Sequence, residues 1–428
     1  MRKMLRGLDD VSRRQFVSYA AKTCLGLGVM SPLAAQAAAR SAGAARKPAK
    51  NVIYMFMNGG LSHLDTFDPK NNSEVSGPVS AISTNVSGIQ LSENLPELAK
   101  QMDKIALIRS LTSNQGAHER GQYFVRTSHT PRGSVQHPAL GAWTVKHGGR
   151  INPTLPSNVL IGGGGAHPGA GFLGSEFTPV RIGNPSAGLQ NAHLPGSVNP
   201  DQFQRRLQLM ERFDRPFTRK YEHRDVKTYT EFYDEAVRLM RSEDLVAFDI
   251  SKESAEMREA YGNNRFGQAT LLARRLVQNG VRYVEIEHGG WDTHANNFDA
   301  MPDRTAPVDQ ALATLLQDLD ASGLLEETLI VLTTEFGRTP NINRDAGRDH
   351  HPRVFSSLLA GGGINGGQVY GKSDEKAYAA AENPVTVPDF NATIAYALGL
   401  QYDERVFAPS GRPFTMADDG KPVTDLFT

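Results

Sequence analysis

The stretch Tyr283–His294, YVEIEHGGWDTH, sets an Asp and a His two residues apart just past a strand-like run. Val281, Tyr283 and Val284 favour the strand through β-branched and aromatic bulk, and Gly289-Gly290 interrupt it. Asp292 and His294 then offer an oxygen and a nitrogen donor from one short loop, a mixture that a divalent cation accepts. Other groups share this character. Asn58, Ser62, His63, Asp65 and Asp68 follow the apolar run Asn51–Met57. Glu335 and Arg338 follow Leu329–Thr333, and Asp349-His350-His351 stand in the loop beyond. His118 comes after Ile105–Ile108. A lone Asp292 could equally cap a polar turn. The shared placement of the clusters after strands points instead to metal-assisted or acid–base chemistry.

The elements that position these residues can be read from hydrophobic pattern. Asn51–Met57 and Leu329–Thr333 are continuous apolar runs, as expected of strands buried on both faces of a parallel sheet. Further strands are predicted at Ile105–Ile108, Leu155–Ile161, Val281–Ile286 and Val354–Ala360. Helices are predicted near Leu95–Met102 and over Arg120–Val125, Pro138–Lys146, Ala306–Ser322 and Asp389–Leu398, the last with Asp389 as its N-cap. The Ala306–Ser322 helix carries Val308, Leu312, Leu315, Leu316 and Leu319 on one face, and Gly323 stops it. This alternation predicts an α/β fold with a mostly parallel central sheet and helices on both faces. Sites in such folds collect beyond the carboxyl ends of the strands. Residues 162–279 read as an irregular, partly helical insertion, rich in Gly, Pro and Asn up to Asn199. Its stripes Phe232/Ala236/Leu239/Met240 and Ala269/Leu272/Ala273/Leu276 are packing faces. Gly162–Gly165 lacks the Lys and Ser/Thr of a phosphate-binding loop.

Composition narrows the function. The 428 residues suffice for one large or two ordinary domains. Lys+Arg and Asp+Glu both total 46, so no net field draws nucleic acid. Ser12-Arg13-Arg14-Gln15-Phe16-Val17 resembles a twin-arginine export signal. An Ala- and Gly-rich run follows to Ala39, with A-x-A-type cleavage sites among Ala35, Ala37 and Ala39. The expected division is a signal peptide at 1–39, a linker at 40–50 and a single domain at 51–428. A membrane-spanning helix needs roughly 20 strongly apolar residues; Lys22 and Pro32 argue against one. The expectation is a periplasmic or secreted protein with no stable membrane span once the leader is removed. The only cysteine, Cys24, lies in that leader, so thiol catalysis and zinc–thiolate or iron–sulfur sites are excluded from the rest.

Asn51–Lys70 (NVIYMFMNGGLSHLDTFDPK), GGWDTH, TTEFGRTP and DHHP together resemble the exported domain of unknown function 1501 family, within the alkaline-phosphatase/sulfatase-like superfamily. The resemblance implies an alkaline-phosphatase-like three-layer α/β/α sandwich with a metal site at the strand ends. It implies cleavage of phosphate or sulfate esters with one or two divalent ions, Zn, Ca or Mg. By position, Asp292 and His294 resemble the Asp and His of one metal, and His351 or its neighbour His350 the last His ligand. Glu335 falls where the superfamily has an Asp followed by His, and Asn58 where it has a first-strand carboxylate, with Asp65 nearby. Asp349 belongs to the same loop cluster. Neutral Asn58, and Phe336 in place of a His, imply a reduced second metal position. The nucleophile is expected near Ser113–His118, with Thr112, Ser113 and His118 as candidates; no Ser-x-Pro-x-Arg supports a formylglycine. His118 or His350 would be the general acid or base. Arg338 would neutralise an ester oxygen. Two functions follow. One is an exported metal-dependent hydrolase acting on small-molecule or glycan anionic esters. The other is a non-catalytic exported binding protein that keeps the fold and a metal.

Overall fold

The apolar run at the start of the domain becomes the middle of a sheet. In a computed structural model, residues 47–427 are described apart from 73, 164–165, 191, 193, 195 and 222–233. The predicted leader at 1–39, the first part of the linker and Phe232 lie outside the described residues. Strand β1 (Asn51–Asn58) is buried from Asn51 to Met57. The other sheet strands are β2 (Ile105–Thr112), β3 (Asn158–Gly162), β4 (Val180–Ile182), β5 (Tyr283–Gly289), β6 (Thr328–Thr333), β7 (Phe355–Ala360), β8 (Gln368–Tyr370) and β9 (Val385–Thr386). Their order is β8-β2-β7-β6-β1-β5-β3-β4, with β9 also on β2. Every pairing is parallel except the two made by β7. The expected α/β class with a mostly parallel central sheet is therefore present. Asn58 pairs with Gly289, and Phe56 with Thr333. The loops after β1, β5 and β6 thus leave the sheet along one edge.

Alternation along β1 divides the core. Ile53, Met55 and Met57 join one apolar cluster; Val52, Tyr54 and Phe56 join the other. The longer helices are α1 (His118–Thr127), α2 (Leu140–Gly148), α3 (Pro200–Lys220), α4 (Arg265–Gln278), α5 (Asn297–Ala321) and α6 (Val387–Ala397). Apolar residues of α4 and α5 complete the first cluster, and those of α1, α2 and α6 the second. Helix α5 begins ahead of the predicted Ala306 and includes Pro302 and Pro307. An interior proline costs about 3 kcal/mol, whereas each fully buried Leu or Val contributes about 1.5–3 kcal/mol. The stripe Val308, Leu312, Leu315, Leu316 and Leu319 is buried along its length, so packing outweighs the prolines.

Two sequence expectations change. Thr386, not Asp389, caps α6: its side chain accepts from the Asp389 amide while the Asp389 carboxylate accepts from the Thr386 amide. Pro at the start of the helix hides this register, because the first turn needs no amide donor there. The stretch read as an insertion also contributes to the main layers. Val180–Ile182 extends the sheet edge beside β3, and α4 is buried through Phe266, Leu272 and Leu276. Among the described residues no helix is long and apolar enough to cross a membrane.

Candidate metal centre

The loops after β1, β5 and β6 meet closely. Gly290 (φ 104°) turns the chain after β5, Trp291 is buried, and Asp292 emerges. Gly59 makes the approach possible: a Cβ there would lie 2.7 Å from the Asp292 nitrogen. After β6, Glu335 is fully buried, and its Oε1 accepts from the Gly59 amide at 2.9 Å. The ribbon Gly337–Arg338 pairs antiparallel with His350–His351, Arg338 opposite His350. Helix α1 begins at His118, facing the same point.

Three imidazoles are held in the same way. His118 Nδ1 lies 2.7 Å from Glu335 Oε1, His294 Nδ1 2.7 Å from Asp349 Oδ1, and His350 Nδ1 2.8 Å from the Gly116 carbonyl. Carboxylates and carbonyls only accept, so each Nδ1 carries the proton and donates it. The tautomer is thereby assigned from the hydrogen-bond partners, leaving each Nε2 with a lone pair. All three Nε2 atoms turn to Asp292. His118 Nε2 is 3.3 Å from Oδ2; His294 and His350 Nε2 are 3.1 and 3.3 Å from Oδ1. The two imidazole nitrogens of His294 and His350 are themselves 3.0 Å apart. His118 Nε2 is buried without a hydrogen-bond partner. Donor atoms of His118, Asp292 and His350 all lie within 4.8 Å of one another.

Charge within the cluster is arranged for a cation. The hydrogen bond to Glu335, set against burial, raises the His118 pKa and so the affinity of its ring for a positive charge. Burial lowers that of His350. Burial would raise Asp292, but the hydrogen bond and charge of Arg338 outweigh it and bring the carboxyl to about 2. Two imidazole nitrogens and a carboxylate oxygen, from His118, His350 and Asp292, are spaced to share a divalent metal, with His294 Nε2 beside the last two. Ligating imidazoles commonly donate their other N–H to a carboxylate or carbonyl, as all three do here.

The structure brings together seven of the ten predicted site residues: His118, Asp292, His294, His350, Glu335, Asp349 and Arg338. Glu335 and Asp349 orient imidazoles. Arg338, expected as a clamp for an ester oxygen, has its guanidinium turned inward. It is fully buried, donating to the Gly60 and Arg348 carbonyls at 2.8 and 3.0 Å, to the Gly59 carbonyl, and to Asp292 Oδ1 at 2.5 Å. Its work is to position Asp292.

Three residues lie outside the cluster. His351 points to the other face of its ribbon, where Nε2 meets the Tyr378 carbonyl at 2.8 Å and the ring stacks on His63. Neighbouring strand residues must face opposite ways, so only one of the two histidines can reach the centre. Asp65 is buried against Arg348 at 2.9 and 3.1 Å. Asn58 turns aside to Gln122 and Glu287. The hydroxyl candidates also look elsewhere: Thr112 Oγ1 donates to the Val385 carbonyl, and Ser113 Oγ accepts from the Gln115 amide. We expect His350→Ala to lower metal affinity and His351→Ala to leave it unchanged. Competition with a metal-sensitive dye would measure both, and equal losses would contradict the assignment.

Sequence reasoning missed the rest of the α1 face. His118, Gln122 and Arg126 recur at one-turn spacing. Gln122 donates to Asn58 Oδ1 at 2.7 Å. Arg126, almost fully buried, donates to Glu285 at 2.8 Å and Glu287 at 2.9 Å. His167 lies 3.2 Å from Glu285. Burial would raise Glu285, yet Arg126 and His167 hold it at about 2. The signal was present in VEIEH: two acids on one face of a strand that otherwise suits full burial.

Several solved structures are loosely similar. The PsFucS1 sulfatase from Pseudoalteromonas sp. shares 17% identity over 92% of this chain and 77% of its own, with a TM-score of 0.37. A protein of the alkaline phosphatase superfamily from Vibrio parahaemolyticus shares 12% over 85% and 73%, with a TM-score of 0.39. The zinc complex of the C-terminal periplasmic domain of EcEptC from Escherichia coli shares 9% over 90% and 96%, with a TM-score of 0.39. No curated protein matches the chain in sequence. The pattern of the family described as protein of unknown function (DUF1501) matches residues 49–427, and the chain belongs to that family.

Proposed function

We propose that this protein is an exported, metal-dependent hydrolase of phosphate or sulfate esters. The observation that carries the reading is the convergence of three imidazole Nε2 lone pairs on the Asp292 carboxylate. A divalent cation among these atoms would satisfy the carboxylate and the unprotonated imidazole nitrogens together. The donor set favours zinc, since calcium and magnesium prefer oxygen ligands. Such a metal, when bound, supplies polarisation of an ester oxygen and an acidified water. His118, His294, His350 and Asp292 would hold it. Glu335 and Asp349 keep the imidazoles in the required tautomer, and Arg338 keeps Asp292 ionised. The exposed side chains of Asp292, His294 and Asp349 form the edge by which an ester reaches the centre. The proton on His294 Nδ1 is held there by Asp349. The Arg13-Arg14 leader supports export to the periplasm or beyond.

The test is elemental analysis of the purified mature protein, together with assays on p-nitrophenyl phosphate and sulfate. Retained zinc and turnover of either ester are expected. No retained metal, and no turnover with any added divalent ion, would sink the reading. Retained metal without turnover would favour the second reading, a non-catalytic binding protein, which the diverted hydroxyls of Thr112 and Ser113 support.

A further inference from the structure

A cavity of about 450 Å³ opens beside the candidate centre, at the carboxyl ends of β1, β3 and β5. Its wall mixes apolar Ile161, Ile286 and Phe266 with polar or charged Asn58, Arg265, Glu287 and His288. The two sites adjoin: Asn58 lines the cavity, while the amide of the next residue, Gly59, donates to Glu335.

Glu287 is fixed from behind. Its Oε1 accepts from Asn58 Nδ2 and its Oε2 from Arg126 Nη2, both at 2.9 Å. Each carboxylate oxygen can accept a further hydrogen bond. Gly163 (φ 71°) keeps one of them clear, because a Cβ there would lie 3.0 Å from Glu287 Oε2. His288 packs against Phe266 in a tilted arrangement with ring centroids 4.7 Å apart. Burial and Arg304 lower its pKa to about 4, so near neutral pH it offers one donor and one acceptor.

The ligand these groups suit carries hydroxyls. A hydroxyl donates to a carboxylate and accepts from an amide or imidazole, and the C–H groups of a sugar ring pack on an aromatic face. Arg126 behind Glu287 is paired with Glu285 and Glu287, and Arg265, which donates to the Gly183 carbonyl, adds a further hydrogen-bond donor to the wall. We propose that this cavity binds a sugar ring, the alcohol portion of a glycan ester whose phosphate or sulfate sits at the neighbouring centre. The assignment rests on the hydrolase reading for the second half of that statement only.

Saturation-transfer NMR on the mature protein tests it without any turnover. The probes are the methyl glycosides of glucose, galactose, mannose and N-acetylglucosamine. At least one should receive saturation from the wild-type protein. Gly163→Val should block it by crowding Glu287. Because strain at Gly163 could disturb the loop, Glu287→Gln serves as a second variant, folded by circular dichroism. It should weaken binding about tenfold, the usual scale for losing a hydrogen bond to a charged group. No saturation of any glycoside, or unchanged binding in both folded variants, overturns the proposal. Glycoside binding in a protein that holds no metal and cleaves no ester upholds the cavity and removes the hydrolase. Ester turnover with no glycoside binding does the reverse.

Discussion

Asp292→Asn should strip the metal from the protein while leaving it folded. All three Nε2 atoms converge on this one carboxylate. The amide keeps an oxygen for Arg338 but removes the charge that offsets a dication. Glu335→Gln supplies the scale, since Glu335 orients His118 without reaching the Nε2 atoms, and the glutamine keeps an oxygen for the Gly59 amide. Losing such an orienting partner costs about 10–100-fold in metal affinity, and losing the anionic ligand should cost more. Chelator competition would rank wild type, Glu335→Gln and Asp292→Asn in that order, with ester turnover following the same ranking. Metal retained at wild-type affinity in Asp292→Asn would move the centre elsewhere.

Asp65→Ala should have the opposite signature, a loss of stability with no loss of metal. Asp65 and Arg348 are both fully buried. The carboxylate also accepts from Asn297 Nδ2 at 2.9 Å and Ser62 Oγ at 2.6 Å. The guanidinium donates further to the carbonyls of Thr339, Pro340 and Val75. It therefore fastens the loop after β6 to the loop after β1. Removing one partner leaves a buried charge uncompensated, which costs about 3–5 kcal/mol. Urea unfolding should report that loss, and elemental analysis of the folded fraction should find metal as in wild type. A folded Asp65→Ala protein of unchanged stability but without metal would restore Asp65 as a ligand.

The contrast between Asp292 and Asp65 marks how far the sequence could be read. Both carboxylates follow strands of the same apolar type, and position alone could not separate them. The strands themselves were legible, because full burial on both sheet faces demands uninterrupted apolar runs such as Asn51–Met57 and Leu329–Thr333. The gathering of Asp292, His294, Glu335 and His350 was legible for the same reason: neighbouring parallel strands end together. What escaped depended on rotation and register. His350 and His351 differ only by which face of a two-residue ribbon each occupies. Arg338 looked like a substrate clamp because nothing in TTEFGRTP reveals the three backbone carbonyls that claim it. Nor does the sequence reveal that the His118 ring faces Glu335 on one nitrogen and Asp292 on the other.

Helix α1 joins all of this through one face. His118 meets Glu335, Gln122 meets Asn58, and Arg126 meets Glu285 and Glu287. A helix turns about 100° per residue. Sliding α1 by a single residue in its groove would therefore withdraw all three side chains at once. The helix acts as a key with three teeth, either seated or not. Centre and cavity thus share one support, the buried face of this helix.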